Sequence, residues 1–289
     1  MAYIISDLHM GAKGTRDSFT KRKEQFSQFL DFVGTTNELI ILGDLFEGWK
    51  LNLGHSLQAN KYLLDKMAKM NIIYVPGNHD SQIQPMAEAG LLRHPFFSKI
   101  SNPFTKTYQN KTFYFCHGHN FDTANSPTHP GIGEILSIAT GIFEDKLGSP
   151  ILKNGKNIEE ILVKYAEKFL KYWNFFFRLF SPLPKIDPKV SLTYLQSGTS
   201  FGQNIIAIYD FMKKNKLDYL VAGHIHRIGF FKDWYCNTGS WIDLHNEFVI
   251  IDDKTGHIDL YNWDNGRPVL IPSGEIQTYN VRLAKLFLS

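Results

Sequence analysis

Cysteine is scarce in this chain of 289 residues: there are two, Cys116 and Cys236. They stand too far apart for a Cys-x-x-Cys motif, and each lies in a strand-like run, so reduced, buried thiols of a cytoplasmic protein are expected. Long apolar runs are missing too, none approaching the roughly 18 residues that cross a bilayer. No basic segment leads into an apolar one at the start, so a secretory leader is not read, and a strand begins at once. Charge of one sign is also lacking: a net charge of +3 does not by itself mark a nucleic-acid binder. Repeats and low-complexity tracts are absent. A cytoplasmic protein is expected, either free or peripheral on the inner face of the membrane.

What is present is a hydrophobic fraction of 43%, enough for a sizeable core, and one recurring grammar. The aliphatic run Leu39-Ile40-Ile41-Leu42 reads as a buried parallel strand and passes straight into Gly43-Asp44-Leu45-Phe46-Glu47. Gly43 allows a sharp turn there, and Asp44 falls at a strand's carboxyl end, where open α/β sheets place their ligands. Four other segments repeat the pattern: Ile4 to His9, Ile72 to Asp80, Phe113 to His119 and Tyr219 to His226. Strands lying side by side would bring all these polar residues to one edge.

Between the strands the spacing predicts amphipathic helices over 19–32, with Phe26, Phe29, Leu30 and Val33 on one face, and over 57–70. Strand and helix alternate, which argues for parallel pairing. A hairpin is expected around Gln109-Asn110-Lys111, then strands over 217–222, 234–237, 247–251 and 257–263. Residues 123–203 interrupt the alternation with mostly helical text, so the chain reads as one α/β domain over 1–289 with a helical cap inserted in it.

Asp7, His9, Asp44, Asn78, His79, Asp80, His117, His119, His224 and His226 together mix carboxylate, amide and imidazole without thiolate. That donor set suits manganese, iron, zinc, cobalt or nickel. Two divalent ions about 3.5–4 Å apart need a bridging anion, and such a pair activates water and clamps phosphoryl oxygens. Asp44 is the residue best placed to be shared. One Asp-x-His or His-x-His is weak evidence; the repetition at five strand ends is strong.

The order Asp-x-His, Gly-Asp-x-x-Glu, Gly-Asn-His-Asp, His-Gly-His, Gly-His-x-His resembles the calcineurin-like metallophosphoesterase superfamily. The resemblance implies a four-layer α/β/β/α sandwich with a dinuclear site at the strand ends. It implies one metal on Asp7, His9, Asp44 and His226, and the other on Asp44, Asn78, His117 and His224. His79 would face the phosphate and stabilise charge or protonate the leaving group, with Asp80 orienting it. Ser6-Asp7-Leu8-His9-Met10-Gly11 and Gly43-Asp44-Leu45-Phe46-Glu47-Gly48-Trp49 look closest to the UDP-2,3-diacylglucosamine pyrophosphohydrolases of lipid A synthesis and their relatives. That branch has Arg in place of His79 and His-Gly-Asp in place of His117-Gly118-His119.

The remaining candidates are open. Glu47 is placed either to bond a ligating histidine or to face solvent. Lys13 and Arg16 are candidates for a substrate's non-reacting phosphate, and His119 for the pocket wall. Over 164–180, Tyr172, Trp173, Phe175, Phe176, Phe177, Leu179 and Phe180 point all round a helix beside Lys164, Lys168, Lys171 and Arg178. This suits either an interfacial segment against anionic lipid or a packed cap. Either is compatible with a lid over an apolar substrate. The expected partner is a phosphorylated small molecule or lipid, with no specific nucleic acid. Manganese is the first choice of metal, and the expected activity is phosphoester or pyrophosphate hydrolysis.

Overall fold

The computed structural model describes residues 1–12, 17, 19–122, 205–242 and 245–272. The expected cap at 123–203, the segment 164–180, and Lys13 and Arg16 lie outside the described residues.

Eleven strands are described: β1 Ala2–Ile5, β2 Glu38–Leu42, β3 Asn71–Val75, β4 Phe104–Tyr108, β5 Lys111–Cys116, β6 Tyr219–Ala222, β7 Gly229–Phe231, β8 Tyr235–Asn237, β9 Glu247–Ile251, β10 Ile258–Asp264 and β11 Arg267–Leu270. They form two sheets, ordered β11-β10-β9-β1-β2-β3 and β4-β5-β6-β8-β7. The helices are α1 Lys23–Val33, α2 Leu53–Ala59, α3 Lys61–Met67, α4 Ile83–Glu88 and α5 Ile205–Asn215.

Period-two alternation sorts each strand's side chains onto two faces. Ile4, Ile40, Leu42 and Val75 of the first sheet pack with Phe113, Phe115, Val221 and Cys236 of the second, forming the core between sheets. The opposite face of the first sheet, with Tyr3, Ile5, Leu39 and Ile41, is covered by Phe26, Phe29, Leu30 and Val33 of α1 and Leu63, Leu64 and Met67 of α3. Leu220, Ala222, Phe231 and Tyr235 on the far face of the second sheet receive Ile208 and Met212 of α5. The layers therefore run α, β, β, α.

Register decides where the strands end. The parallel pairs Ile5↔Ile41 and Leu42↔Val75 finish the first three strands level with one another. Cys116↔Ala222↔Asn237 does the same in the second sheet. The five motif-bearing strands therefore do not share one sheet; three come from the first and two from the second, and both sets end on the same side.

Local chemistry explains most boundaries. Gln109 and Asn110 take φ of 46° and 64°, the two left-handed residues of a tight hairpin loop. The expected helix over 57–70 is instead broken at Asn60, whose side-chain amide donates to the Gly11 and Ser56 carbonyls at 2.7 and 2.8 Å. Asn60 thus ties the helix pair to the loop after β1.

Phe29 is fully buried, with its ring 5.0 Å from those of Trp241 and Phe248 and 5.7 Å from that of Trp263. Phe29→Ala should lower unfolding free energy by about 3–5 kcal/mol, read as a shifted denaturant midpoint at unchanged slope. A loss below about 1 kcal/mol would mean that α1 is not anchored through this cluster.

Candidate dinuclear metal centre

After β1 and β2 the chain stays paired through loop hydrogen bonds: Asp7 N–H to Gly43 O (3.1 Å), His9 N–H to Asp44 O (2.8 Å) and Met10 N–H to Leu45 O (2.9 Å). In the second sheet, Gly223 N–H reaches His117 O at 3.0 Å. Gly43 turns with φ of 84°, and a β-carbon there would run into the His117 ring, so a larger residue would push the two sheets' loops apart. Asp7, His9, Asp44, His224 and His226 also have positive φ, between 47° and 78°. Asp and His tolerate that region better than most residues, and clustered backbone strain is a mark of functional sites.

The side chains converge into two donor sets. In the first, Asp7 Oδ1 lies 3.1 Å from His226 Nε2, which lies 3.3 Å from His9 Nε2. His9 Nε2 is 4.0 Å from Asp7 Oδ1 and 3.9 Å from Asp44 Oδ2. In the second, His117 Nε2 lies 2.9 Å from Asn78 Oδ1 and 3.2 Å from the same Asp44 Oδ2, with a His224 nitrogen in the same cluster. Donor atoms held at about 2.1 Å by one ion stand about 3.0–3.4 Å apart along a coordination edge and about 4 Å across it. The observed spacings have those values, and Asp44 Oδ2 belongs to both sets.

Hydrogen bonds at the back of the His9, His117 and His224 rings leave their donor atoms facing inward, as ligating histidines require. His9 Nδ1 pairs with Glu47 Oε2 at 3.3 Å, and His117 Nδ1 with Leu42 O at 2.7 Å, so Nε2 is the nitrogen each ring turns toward the other donors. His224 is turned the other way: Nε2 pairs with Asp122 Oδ2 at 2.9 Å, which leaves Nδ1. Asp7 Oδ2 accepts from the Ser6 hydroxyl and the His224 backbone N–H. Its Oδ1 is buried without an aligned donor among the described residues, which suits a cation. The residues present fit two divalent ions.

The electrostatics agree. Burial opposes charge on His9 and His117, but Glu47, Asp44 and Asp7 outweigh it, raising them to about 9 and about 10. Burial also opposes ionisation of Asp7, yet neighbouring His226 brings it down to about 2. Without metal, then, protons on the imidazoles neutralise the carboxylates.

His79 has Nδ1 3.0 Å from Glu47 Oε1, and its side chain is 13% exposed. His226 is 35% exposed and the other donors nearly enclosed, so these two histidines line the mouth. Asp80 does not orient His79 as expected. Its oxygens accept from Leu45 N–H, Phe46 N–H, Tyr74 O–H and Gly77 N–H, so it braces the loops after β2 and β3 against each other. Burial, then the nearby Asp44 charge, pushes Asp80 up to about 6. Glu47 is the carboxylate that holds His79 and His9 together. His119 lies with its ring 5.4 Å from that of His117 and 6.4 Å from that of His224. Burial, with those two neighbours, pushes it down to about 3 and keeps it neutral.

Two contributors had no role assigned from the sequence, Trp49 standing there only as the last residue of a motif. Asp122 carried only its place five residues after His117 as a signal. Trp49, five residues after Asp44, stacks on His79 with ring centroids 3.9 Å apart.

The calcineurin-like phosphoesterase family model matches residues 2–227, spanning every motif from Asp7 to His226. The chain belongs to that family, whose chemistry is metal-dependent phosphoester hydrolysis. Among solved structures, it is similar to a dimetal phosphatase from Danio rerio at 14% identity and a TM-score of 0.43, covering 96% of this chain and 98% of that one. It is also similar to zinc-complexed Vps29 from Entamoeba histolytica, at 12% identity and a TM-score of 0.39 over 93% and 96% of the two chains. No curated protein matches the sequence. No described helix is long and apolar enough to cross a membrane.

A pH dependence follows from the raised imidazoles. The folded values of about 9 and about 10 lie above the unfolded reference of about 6.5. Their stabilisation of the metal-free protein is therefore complete below that reference and is lost as pH climbs through the folded values. The melting temperature of chelator-stripped protein should fall between pH 7 and pH 10 more steeply than that of metal-loaded protein, in which ions replace the protons. Parallel curves would show that metal does not bind at these histidines.

Proposed function

We propose that the protein hydrolyses a phosphate ester or pyrophosphate at this centre, manganese being the first candidate metal. The observation that carries the reading is the sharing of Asp44 Oδ2 between two donor sets beside His79. Two ions held there would activate a water for in-line attack on phosphorus and neutralise the phosphoryl oxygens. The protein's own part is positional. Asp44 fixes the spacing of the two sets, and its Oδ1 accepts the His79 backbone N–H at 2.9 Å. With Nδ1 turned to Glu47, His79 has Nε2 to give a proton to the departing oxygen. The partly open His226 and His79 mark the side of substrate entry.

Within that chemistry the leading substrate is a nucleotide-linked lipid pyrophosphate of the UDP-diacylglucosamine type. Support comes from sequence: the Gly-Asp-x-Phe-Glu-x-Trp motif, Lys13 and Arg16 after β1, and the aromatic, basic segment 164–180. We assign Lys13 and Arg16 to the headgroup, His119 to the pocket, and 123–203 to a cap touching the inner face of the membrane through 164–180.

The test is turnover by manganese-loaded protein of a lipid-linked nucleotide pyrophosphate, a soluble phosphodiester and a phosphomonoester. The lipid should be preferred, and His79→Ala should lower turnover by about 10²–10⁴, the usual contribution of a general acid. Preference for a soluble ester would remove the lipid assignment and leave the chemistry. Metals bound with no turnover of any ester would make the protein a non-catalytic interaction module.

A further inference from the structure

His79 is held by one short turn. The backbone N–H groups of Trp49 and Lys50 both donate to Glu47 Oε1 at 2.9 Å, and the same oxygen faces His79 Nδ1 at 3.0 Å. The other oxygen, Oε2, is 3.3 Å from His9 Nδ1, so the Glu47 carboxylate is fixed at both ends. Gly48 presses on the backbone of His79, where a β-carbon would collide with the His79 carbonyl. The half-buried Trp49 then lays its indole on the imidazole, with ring planes 28° apart.

A hydrogen bond to Nδ1 fixes where that atom sits, yet the ring can still swing about the N···O line. A flat partner stacked on its face removes that remaining freedom. We propose that Trp49 is a positioning residue for His79, its indole holding the imidazole plane so that Nε2 meets the leaving oxygen. The His9 ring, edge-on to His79 at 4.6 Å between centroids, blocks the swing on another side. Trp49 has no atom in either donor set, so its effect should fall on proton delivery and leave metal affinity alone.

The inference rests on the reading of His79 as the proton donor, and leaving-group dependence tests both. An ester that releases p-nitrophenol needs little protonation as it departs; an alkyl ester needs it fully. Trp49→Leu should lower kcat on the alkyl ester by about tenfold or more, up to the 10²–10⁴ that losing the general acid outright would cost, and change kcat on the p-nitrophenyl ester by less than about twofold. Trp49→Phe, which can still stack, should recover most of the loss. Adding Trp49→Leu to His79→Ala should cost nothing further on the alkyl ester, since the two residues act as one unit. Metal content and melting temperature are measured for each variant.

A Trp49→Leu protein that loses equally on both esters, or loses metal, would overturn the positioning role and make Trp49 a structural support. So would a loss that adds in full to that of His79→Ala. If His79→Ala itself shows no leaving-group dependence, the proton-donor reading fails first, independently of Trp49.

Discussion

One carboxylate oxygen sets the terms for the rest of this molecule. Asp44 Oδ2 stands 3.9 Å from the His9 nitrogen of one donor set and 3.2 Å from the His117 nitrogen of the other. Those histidines come from different sheets, so the oxygen has this position only if the two sheets are packed face to face with their strand ends level. The apolar core between sheets, the parallel register of β1, β2 and β3, and the turn at Gly43 all act on that one distance. Buried acids so close to one another repel, and the cluster is tolerable only with positive charge among them, protons on histidine or divalent ions.

Rigidity around the site comes from carboxylates that are not donors to either set. Asp80 joins the loop after β2 to Tyr74 of β3 and to the loop that follows through four donors, Glu47 joins His9 to His79, and Asp122 fixes the ring of His224. Such outer contacts determine which ring nitrogen turns toward the other donors, so the donor atoms are presented before any ion arrives. The backbone gives up relaxed geometry for this: five of the ten non-glycine residues with positive φ among those described are candidate donors. The other five include turn residues such as Gln109 and Asn110.

Much of this was legible in the residues. Aliphatic runs that stop at Asp, Asn or His revealed both the strands and the edge where they end, because a buried parallel strand has no polar position until it leaves the sheet. The spacing of Phe26, Phe29, Leu30 and Val33 likewise announced α1. The division of the strands between two sheets was not in the strand text itself, since aliphatic runs do not say which sheet they join; the superfamily resemblance supplied it. β7 has three residues and too little pattern to read. The break at Asn60 depends on a side-chain bond to Gly11, far away in sequence. The exchange of roles between Asp80 and Glu47 was hidden for a similar reason. Adjacency suggested that Asp80 serves His79, whereas the turn after β3 carries its carboxylate toward backbone N–H groups and leaves the imidazole facing a loop from β2.

The shared oxygen is most directly tested by electron paramagnetic resonance on manganese-titrated protein. If Asp44 bridges two ions, two manganese ions bind per chain, and the spectrum at saturation is that of an exchange-coupled pair. Asp44→Asn should remove the coupling. One ion per chain, or two giving the simple six-line pattern of isolated manganese, would contradict the account.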